Sequence, residues 1–324
     1  MTTIKIDFAL ECARVTESAA IAAGRWLGHG DNHCADQAAV EAMRKTLDQM
    51  DFDGTVVIGE GERDEAPMLF IGERIGKPGS FAVDIAVDPL EGTNLVARGQ
   101  PGATAVIAVA ETGGLLHAPD TYMEKLIVGP PAAGKVDLNF PVRANLRIVA
   151  DSLNRRIEDL TVVVLDRERH KDLIRQIREA GARIKMIPDG DLGAAISVAV
   201  SGTGDHLVMG TGGAPEGVLA AAALRCLGGE IQARIRPRNP EEAERALQMG
   251  IDLNKIYRTQ DLASGSHIFF SATGVTSGDL LKGVNYFAGG ARTHSLVMSL
   301  QDGTFRFLDT VYMFDRSKVP GVRL

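Results

Sequence analysis

Three cysteines in 324 residues, Cys12, Cys34 and Cys226, are too few and too scattered for a disulfide framework or a paired thiolate metal site. Their odd number fits free thiols in a reducing compartment. Basic charge is also short: 35 lysines and arginines against 42 acids leave a formal net charge of -7. That balance argues against general affinity for nucleic acid or an anionic membrane. It does not exclude an anionic substrate, because bound divalent cations invert the local sign of a site. No apolar run approaches the roughly 20 residues of a membrane-spanning helix. No signal-peptide pattern opens the chain, and there is no internal repeat, low-complexity stretch or long linker. These absences predict a cytoplasmic globular protein whose partners are neither nucleic acid nor membrane.

The length suggests two domains, since single cores stop growing near roughly 250 to 300 residues. A helix is expected up to about Trp26, and a second from about Asp36, with Ala39, Met43 and Leu47 at helical spacing. Short apolar runs follow at Thr55 to Ile58, Phe81 to Val87 and Thr104 to Ala110. They read as strands. The second half alternates strand and helix: Thr161 to Leu165, His170 to Ala180, Arg183 to Ile187, Asp191 to Val200, His206 to Met209 and Pro215 to Leu227. Such alternation predicts a parallel, doubly wound sheet covered on both faces. The boundary is placed between a domain 1–145 and a domain 146–324. Two tail segments, Ile268 to Ala272 and Phe305 to Met313, read as strands that extend the second sheet or form an edge.

Acids gather where strands end. In Ala86-Val87-Asp88-Pro89-Leu90-Glu91-Gly92-Thr93, an apolar run is expected to stop at Pro89, leaving Asp88 and Glu91 at its carboxyl end. Two acids held on one turn repel unless a cation lies between them, and hard divalent cations favour such oxygen ligands. Gly59-Glu60-Gly61-Glu62 repeats the pattern after Val57-Ile58, and Asp36 opens the second helix. Each also has a plainer reading: Asp36 as an N-cap, DPLEGT as a surface turn, GEGERDE as a solvated loop.

Gly210-Thr211-Gly212-Gly213-Ala214-Pro215-Glu216-Gly217 joins an apolar strand to an apolar helix. Proline suits a first helical turn, glycines expose amides to an anion, and Glu216 is placed to reach a cation. The plainer reading is a tight turn into a capped helix. It is neither a nucleotide P-loop nor a dinucleotide fingerprint, since no Gly-Lys-Ser/Thr follows and Pro215 stands where the third glycine belongs. Arg167-Glu168-Arg169 and Asp189-Gly190-Asp191 follow other strands. They suit phosphate and sugar hydroxyls respectively, or simply a solvated helix start and a cap.

These residues resemble the class II fructose-1,6-bisphosphatases, within the lithium-sensitive, metal-dependent phosphatase superfamily. The matching stretches include RVTESAA (14–20), ADQAAVEAMR (35–44), GTVVIGEGERDEAPML (54–69), AVDPLEGT (86–93), APDTYMEKLIVGP (118–130), IPDGD (187–191), GTGGAPEG (210–217) and FFSATGVTSGDLL (269–281). They span nearly the whole chain. Glu91 departs from the aspartate usual in the superfamily, and the stretch from Ile231 to Ile251 is shorter than in several relatives.

The resemblance implies a layered α/β/α/β/α sandwich, α+β in its first part and α/β in its second. It implies hydrolysis of the 1-phosphate of fructose 1,6-bisphosphate in gluconeogenesis and glycerol metabolism, with Mn2+ or Mg2+ as cofactor. It places metal on Asp36, Glu60, Asp88, Glu91 and Glu216, and catalysis on Thr93, Glu62 and Asp88. Substrate would contact Glu91, Gly92, Thr93, Tyr122, Arg167, Glu168, Arg169, Asp189, Gly190, Asp191 and Gly213. It further implies a homo-oligomer, dimer or tetramer. Sedoheptulose 1,7-bisphosphate as a second substrate, or an inositol-monophosphatase-like activity, are the alternatives; a catalytically silent sugar-phosphate sensor is disfavoured because Asp88, Glu91 and Thr93 are all present.

Overall fold

The computed structural model describes residues 7–61 and 67–314, and within them the chain builds most of one sheet, then a second, and returns to the first. The first four strands are β1 (Asp53–Ile58), β2 (Arg74–Gly76), β3 (Ala82–Glu91) and β4 (Thr104–Glu111). The second sheet takes β5 (Tyr122–Val128), β6 (Thr161–Leu165), β7 (Arg183–Ile187), β8 (Leu207–Gly213), β9 (Glu230–Arg236) and β10 (Tyr257–Arg258), in the order β10-β9-β5-β8-β6-β7. The last four, β11 (Ile268–Gly274), β12 (Asn285–Phe287), β13 (Gly290–Ser299) and β14 (Thr304–Met313), complete the first sheet, with β11 beside β4 and β14 beside β13.

Helices α1 (Asp7–Gly24) and α2 (Asn32–Leu47) cover the outer face of the first sheet, and the short α3 (Thr93–Ala97) follows β3. Helices α4 (Val142–Ser152) and α5 (Lys171–Ala180) cover the outer face of the second. Between the sheets lie α6 (Asp191–Ser197) and α7 (Ala214–Leu227), while α8 (Pro240–Gln248) and α9 (Thr259–Leu262) flank β9 and β10. The five layers are those of an α/β sandwich.

Strand periodicity assigns the faces. Ile85, Val87, Ile107 and Val109 pack with α1 and α2, whereas Ala86, Val106, Ala108 and Ala110 pack with α7. Residues Val218 to Leu224 of α7 are buried on every side of the helix, as a helix enclosed between two sheets must be. Its run of alanines, Ala220 to Ala223, shares one buried cluster with the small residues Ala86, Ala108 and Ala110 of β3 and β4.

Three expectations change. Both sheets are mixed: β6 runs parallel to β7 and β8, but β5 runs antiparallel to β8 and β9. A strand–helix rhythm reports parallel crossovers and is silent about β5 and β9, which enter from outside it. The tail strands belong to the first sheet, with β11 in its interior and β14 at its edge. In chain order β5 precedes residue 145 and β11 to β14 follow it. Finally, β3 does not stop at Pro89 but continues to Glu91.

Candidate active site

The irregularity in β3 builds the floor of the site. Asp88 pairs with Val106 and Glu91 with Thr104, so three steps on β3 oppose two on β4. The extra residue is a bulge at Pro89 and Leu90, a position that tolerates proline's missing N–H. Residues three apart on an unbroken strand face opposite sides; the bulge brings both carboxyl groups together, an oxygen of one within 4.8 Å of an oxygen of the other. The Leu90 N–H donates to Asp88 Oδ1 at 3.1 Å. Gly92, at φ +83°, then turns the chain in the left-handed conformation that glycine alone adopts readily. Thr93 becomes the first residue of α3, its Oγ1 donating to the Leu90 carbonyl at 3.2 Å.

Glu216 reaches the same point from α7. One oxygen from each of Asp88, Glu91 and Glu216 lies within 4.8 Å of the others. Glu91 is buried; Asp88 and Glu216 are half-buried, yet Glu216 Oε2 is shielded from solvent without a hydrogen-bond partner. The glycines beside it serve this acid. A Cβ on Gly213 would lie 1.9 Å from Glu216 Oε2, and one on Gly212 would lie 2.2 Å from Asp191 Oδ2. The expected row of free amides is correspondingly reduced: Ala214 gives its N–H to the Thr121 carbonyl at 2.8 Å, and Pro215 has none. The helix start is a seat for carboxylates before it is a cradle for phosphate.

Asp36 and Glu60 face this group across a cleft of about 340 Å³, which Asp88, Glu91, Gly92, Thr93, Asp189 and Glu216 also line. Asp36 is not the N-cap of α2. Asp31 is, accepting from the Cys34 N–H at 2.9 Å, which leaves Asp36 a turn inside the helix and directed at the cleft.

Five of the lining carboxyl groups, those of Asp36, Glu60, Asp88, Glu91 and Glu216, titrate high. Burial, then the charges of Asp36 and Asp88, pushes Glu60 up to about 8. Burial raises Asp88 to about 6 and Glu216 to about 7, the latter moderated by the Lys125 charge. Glu91 is raised well above the carboxylate range by burial and by Asp88, and burial raises Asp36. Two charges 4.8 Å apart repel by about 3 kcal/mol at an effective dielectric near 20. Three such pairs approach the whole stability of a typical domain. The group must therefore hold protons or cations. An all-oxygen donor set with one acceptor oxygen unsatisfied fits a hard divalent cation.

Opposite charge stands beside the cleft, outside its lining, a rim that begins where Arg167 lies against the lining residue Asp189. Arg169 donates through Nε and Nη2 to the Thr211 carbonyl, at 3.1 and 2.7 Å, and its guanidinium lies 4.5 Å from the Tyr122 ring centroid. Arg167 donates to the Pro188 carbonyl at 2.6 Å, with its Nη2 3.8 Å from Asp189. Buried His170 fixes this segment against the glycine loop, bonding Leu165 O through Nδ1 and accepting the Thr211 N–H at Nε2. Asp191 is buried behind the cleft as the first residue of α6, and Gly190 precedes it in the left-handed conformation. Gly213 lies beneath the Glu216 carboxylate. Glu168 is not brought in: it is exposed and paired with Lys171 at 2.5 Å. Glu62 lies outside the described residues.

Sequence reasoning missed three residues. Asp120 lines the cleft from the loop before β5. The Arg238 guanidinium lies 5.1 Å from the Tyr122 ring centroid, giving that ring a second arginine. Lys125 is buried, with Nζ 2.8 Å from Asp191 Oδ2. Only Lys125 left a readable signal: strand alternation puts it on the inward face between the core residues Met123 and Ile127.

A family profile described as bacterial fructose-1,6-bisphosphatase, glpX-encoded, matches residues 6–312. A Synechococcus protein is 53% identical over 97% of this chain and 98% of its own length. A Thermosynechococcus vestitus protein is 51% identical over 95% and 96%, and one from Microcystis aeruginosa 50% over 95% and 97%. All three bear the name D-fructose 1,6-bisphosphatase class 2/sedoheptulose 1,7-bisphosphatase.

Proposed function

The chain belongs to the glpX-encoded bacterial fructose-1,6-bisphosphatases, and we propose that it hydrolyses the 1-phosphate of fructose 1,6-bisphosphate, giving fructose 6-phosphate and phosphate. It is a phosphoric monoester hydrolase. The observation that carries the reading is the convergence of Asp88, Glu91 and Glu216 within 4.8 Å, with a Glu216 oxygen left for a cation.

In this reading Asp88, Glu91 and Glu216, faced by Asp36 and Glu60, hold Mn2+ or Mg2+. The bound cations supply charge neutralisation at the phosphoryl oxygens and leaving oxygen. The chain's own residues supply the rest. The Thr93 hydroxyl, its proton turned toward the Leu90 carbonyl, presents lone pairs that orient the attacking water. Asp88, and Glu62 as an added carboxylate, receive the proton. Asp189 and Asp191 take sugar hydroxyls. Arg167 and Arg169 spend only part of their five N–H donors on backbone carbonyls and turn the remainder, beside Tyr122, to the distal phosphate. This fixes the sugar's register over the floor.

A second substrate, sedoheptulose 1,7-bisphosphate, is favoured by the printed names of the relatives. The arginine rim argues against a monophosphate substrate of the inositol type. The test is phosphate release with Mn2+ or Mg2+ from both bisphosphates and from inositol monophosphate. Turnover of the monophosphate alone would refute the proposal.

Among the described residues no helix is long and apolar enough to cross a membrane; the proposed setting is the cytoplasm, in gluconeogenesis. A homo-oligomer is supported by edge strand β14, where Phe305 and Phe307 are 58% and 44% exposed. Light scattering at a single-chain mass of 34.5 kDa would refute it.

A further inference from the structure

Lys125 is the feature the proposed chemistry does not use. Its side chain is 3% exposed, a state lysine almost never adopts without a paired charge. It rises from the inner face of β5, passes beneath the first turn of α7, and ends 2.8 Å from Asp191 Oδ2. A Cβ placed on Gly217 would meet Lys125 Cε at 3.6 Å, and one on Gly212 would meet Nζ at 3.2 Å. Both glycines lie in the segment that delivers Glu216.

Asp191 lies beside the acidic floor. The next residue, Leu192, gives its N–H to Glu91 Oε1 at 3.3 Å. The charge of Asp191 is felt by both Glu91 and Glu216. Carboxylate oxygens are the ligands that hard divalent cations favour. Yet Asp191 is not among the three acids whose oxygens converge. Its Oδ2 is held instead by the Lys125 ammonium, a fixed positive charge.

We propose that Lys125 is a positioning residue that withholds Asp191 from the cation-binding set and reserves its remaining oxygen for a sugar hydroxyl. This rests on the sugar-bisphosphatase reading above. It makes a lysine, rather than distance alone, responsible for dividing the acids of one cleft into metal ligands and a substrate ligand.

The test compares wild type, Lys125→Met, Asp191→Asn and the double variant Lys125→Met/Asp191→Asn. Mn2+ binding is followed by calorimetry without substrate, alongside kcat and KM for fructose 1,6-bisphosphate. Lys125→Met is expected to bind Mn2+ more tightly or in greater number. Its KM rises about ten- to a hundred-fold, as when an orienting partner is lost, while kcat falls less. The double variant returns Mn2+ binding to the wild-type level but keeps the raised KM. Asp191→Asn alone leaves Mn2+ binding unchanged and raises KM, an outcome that stands even if Lys125→Met does not fold. The inference is overturned if Asp191→Asn lowers the number of bound Mn2+ ions, or if folded Lys125→Met binds Mn2+ and substrate as wild type does. Failure of wild type to release phosphate from the bisphosphate would instead sink the functional reading, leaving the calorimetric comparison intact.

Discussion

The floor and the rim of the cleft are built on opposite terms. On the floor, acids from β3 and α7 are pressed together and one Glu216 oxygen is left unpaired. On the rim, Arg167 and Arg169 are already bonded to the Pro188 and Thr211 carbonyls, and Arg169 lies against Tyr122. The rim is finished by the chain itself; the floor is finished only by something the chain does not encode. Changes on the floor should therefore strike turnover, and changes on the rim should strike affinity.

The largest expected effect is on the floor. Glu216→Gln removes a charge where three acids converge and should lower kcat by several orders of magnitude, with a native circular dichroism spectrum. Wild-type turnover would exclude Glu216 from the cation site. Thr93→Ala should come next, nearly abolishing hydrolysis while substrate still binds by calorimetry; normal turnover would remove its role at the attacking water. On the rim, Arg169→Ala should raise KM about ten- to a hundred-fold with a smaller change in kcat, since a charge-assisted contact is worth roughly 1.5 to 3 kcal/mol. Equal losses in kcat would erase the distinction between the two regions.

The remaining effect is on stability. Glu60 titrates near 8, Glu216 near 7 and Asp88 near 6 in the fold, but near 4 when unfolded. Between about pH 4 and 8 the native state therefore holds more protons than the unfolded chain, so metal-free stability should fall as pH rises through that window. Cations compete with those protons and should restore more stability at pH 8 than at pH 5. Thermal melts with EDTA and with Mn2+ read both slopes. A metal-free melting temperature that rose between pH 6 and 8 would contradict the burial of these acids.

Much of the floor could be read from the sequence because its acids are separated by only a few residues and punctuated by glycine and proline. The same local signals misled where geometry is long-range. Pro89 looks like a strand terminator, and only pairing with β4 shows that it sits in a bulge. Asp36 looks like a cap until Asp31 is seen to do that work. The glycines at 212 and 213 suggested bare amides, whereas the space they leave is taken by carboxylates. Arg238 could not be anticipated, since its closeness to Tyr122 depends on how β9 lies beside β5. Glu168, a substrate contact by resemblance, is exposed and paired with Lys171, three residues further on.

The extra residue between Asp88 and Glu91 means that the spacing of these acids is itself information. The same residues paired with β4 in unbroken register would leave every letter of the motif in place and a strand still able to pair, yet turn one carboxyl from cleft to core. A comparison of letters alone would not register the difference, although the chemistry would be gone. In this stretch, register is as diagnostic as residue identity.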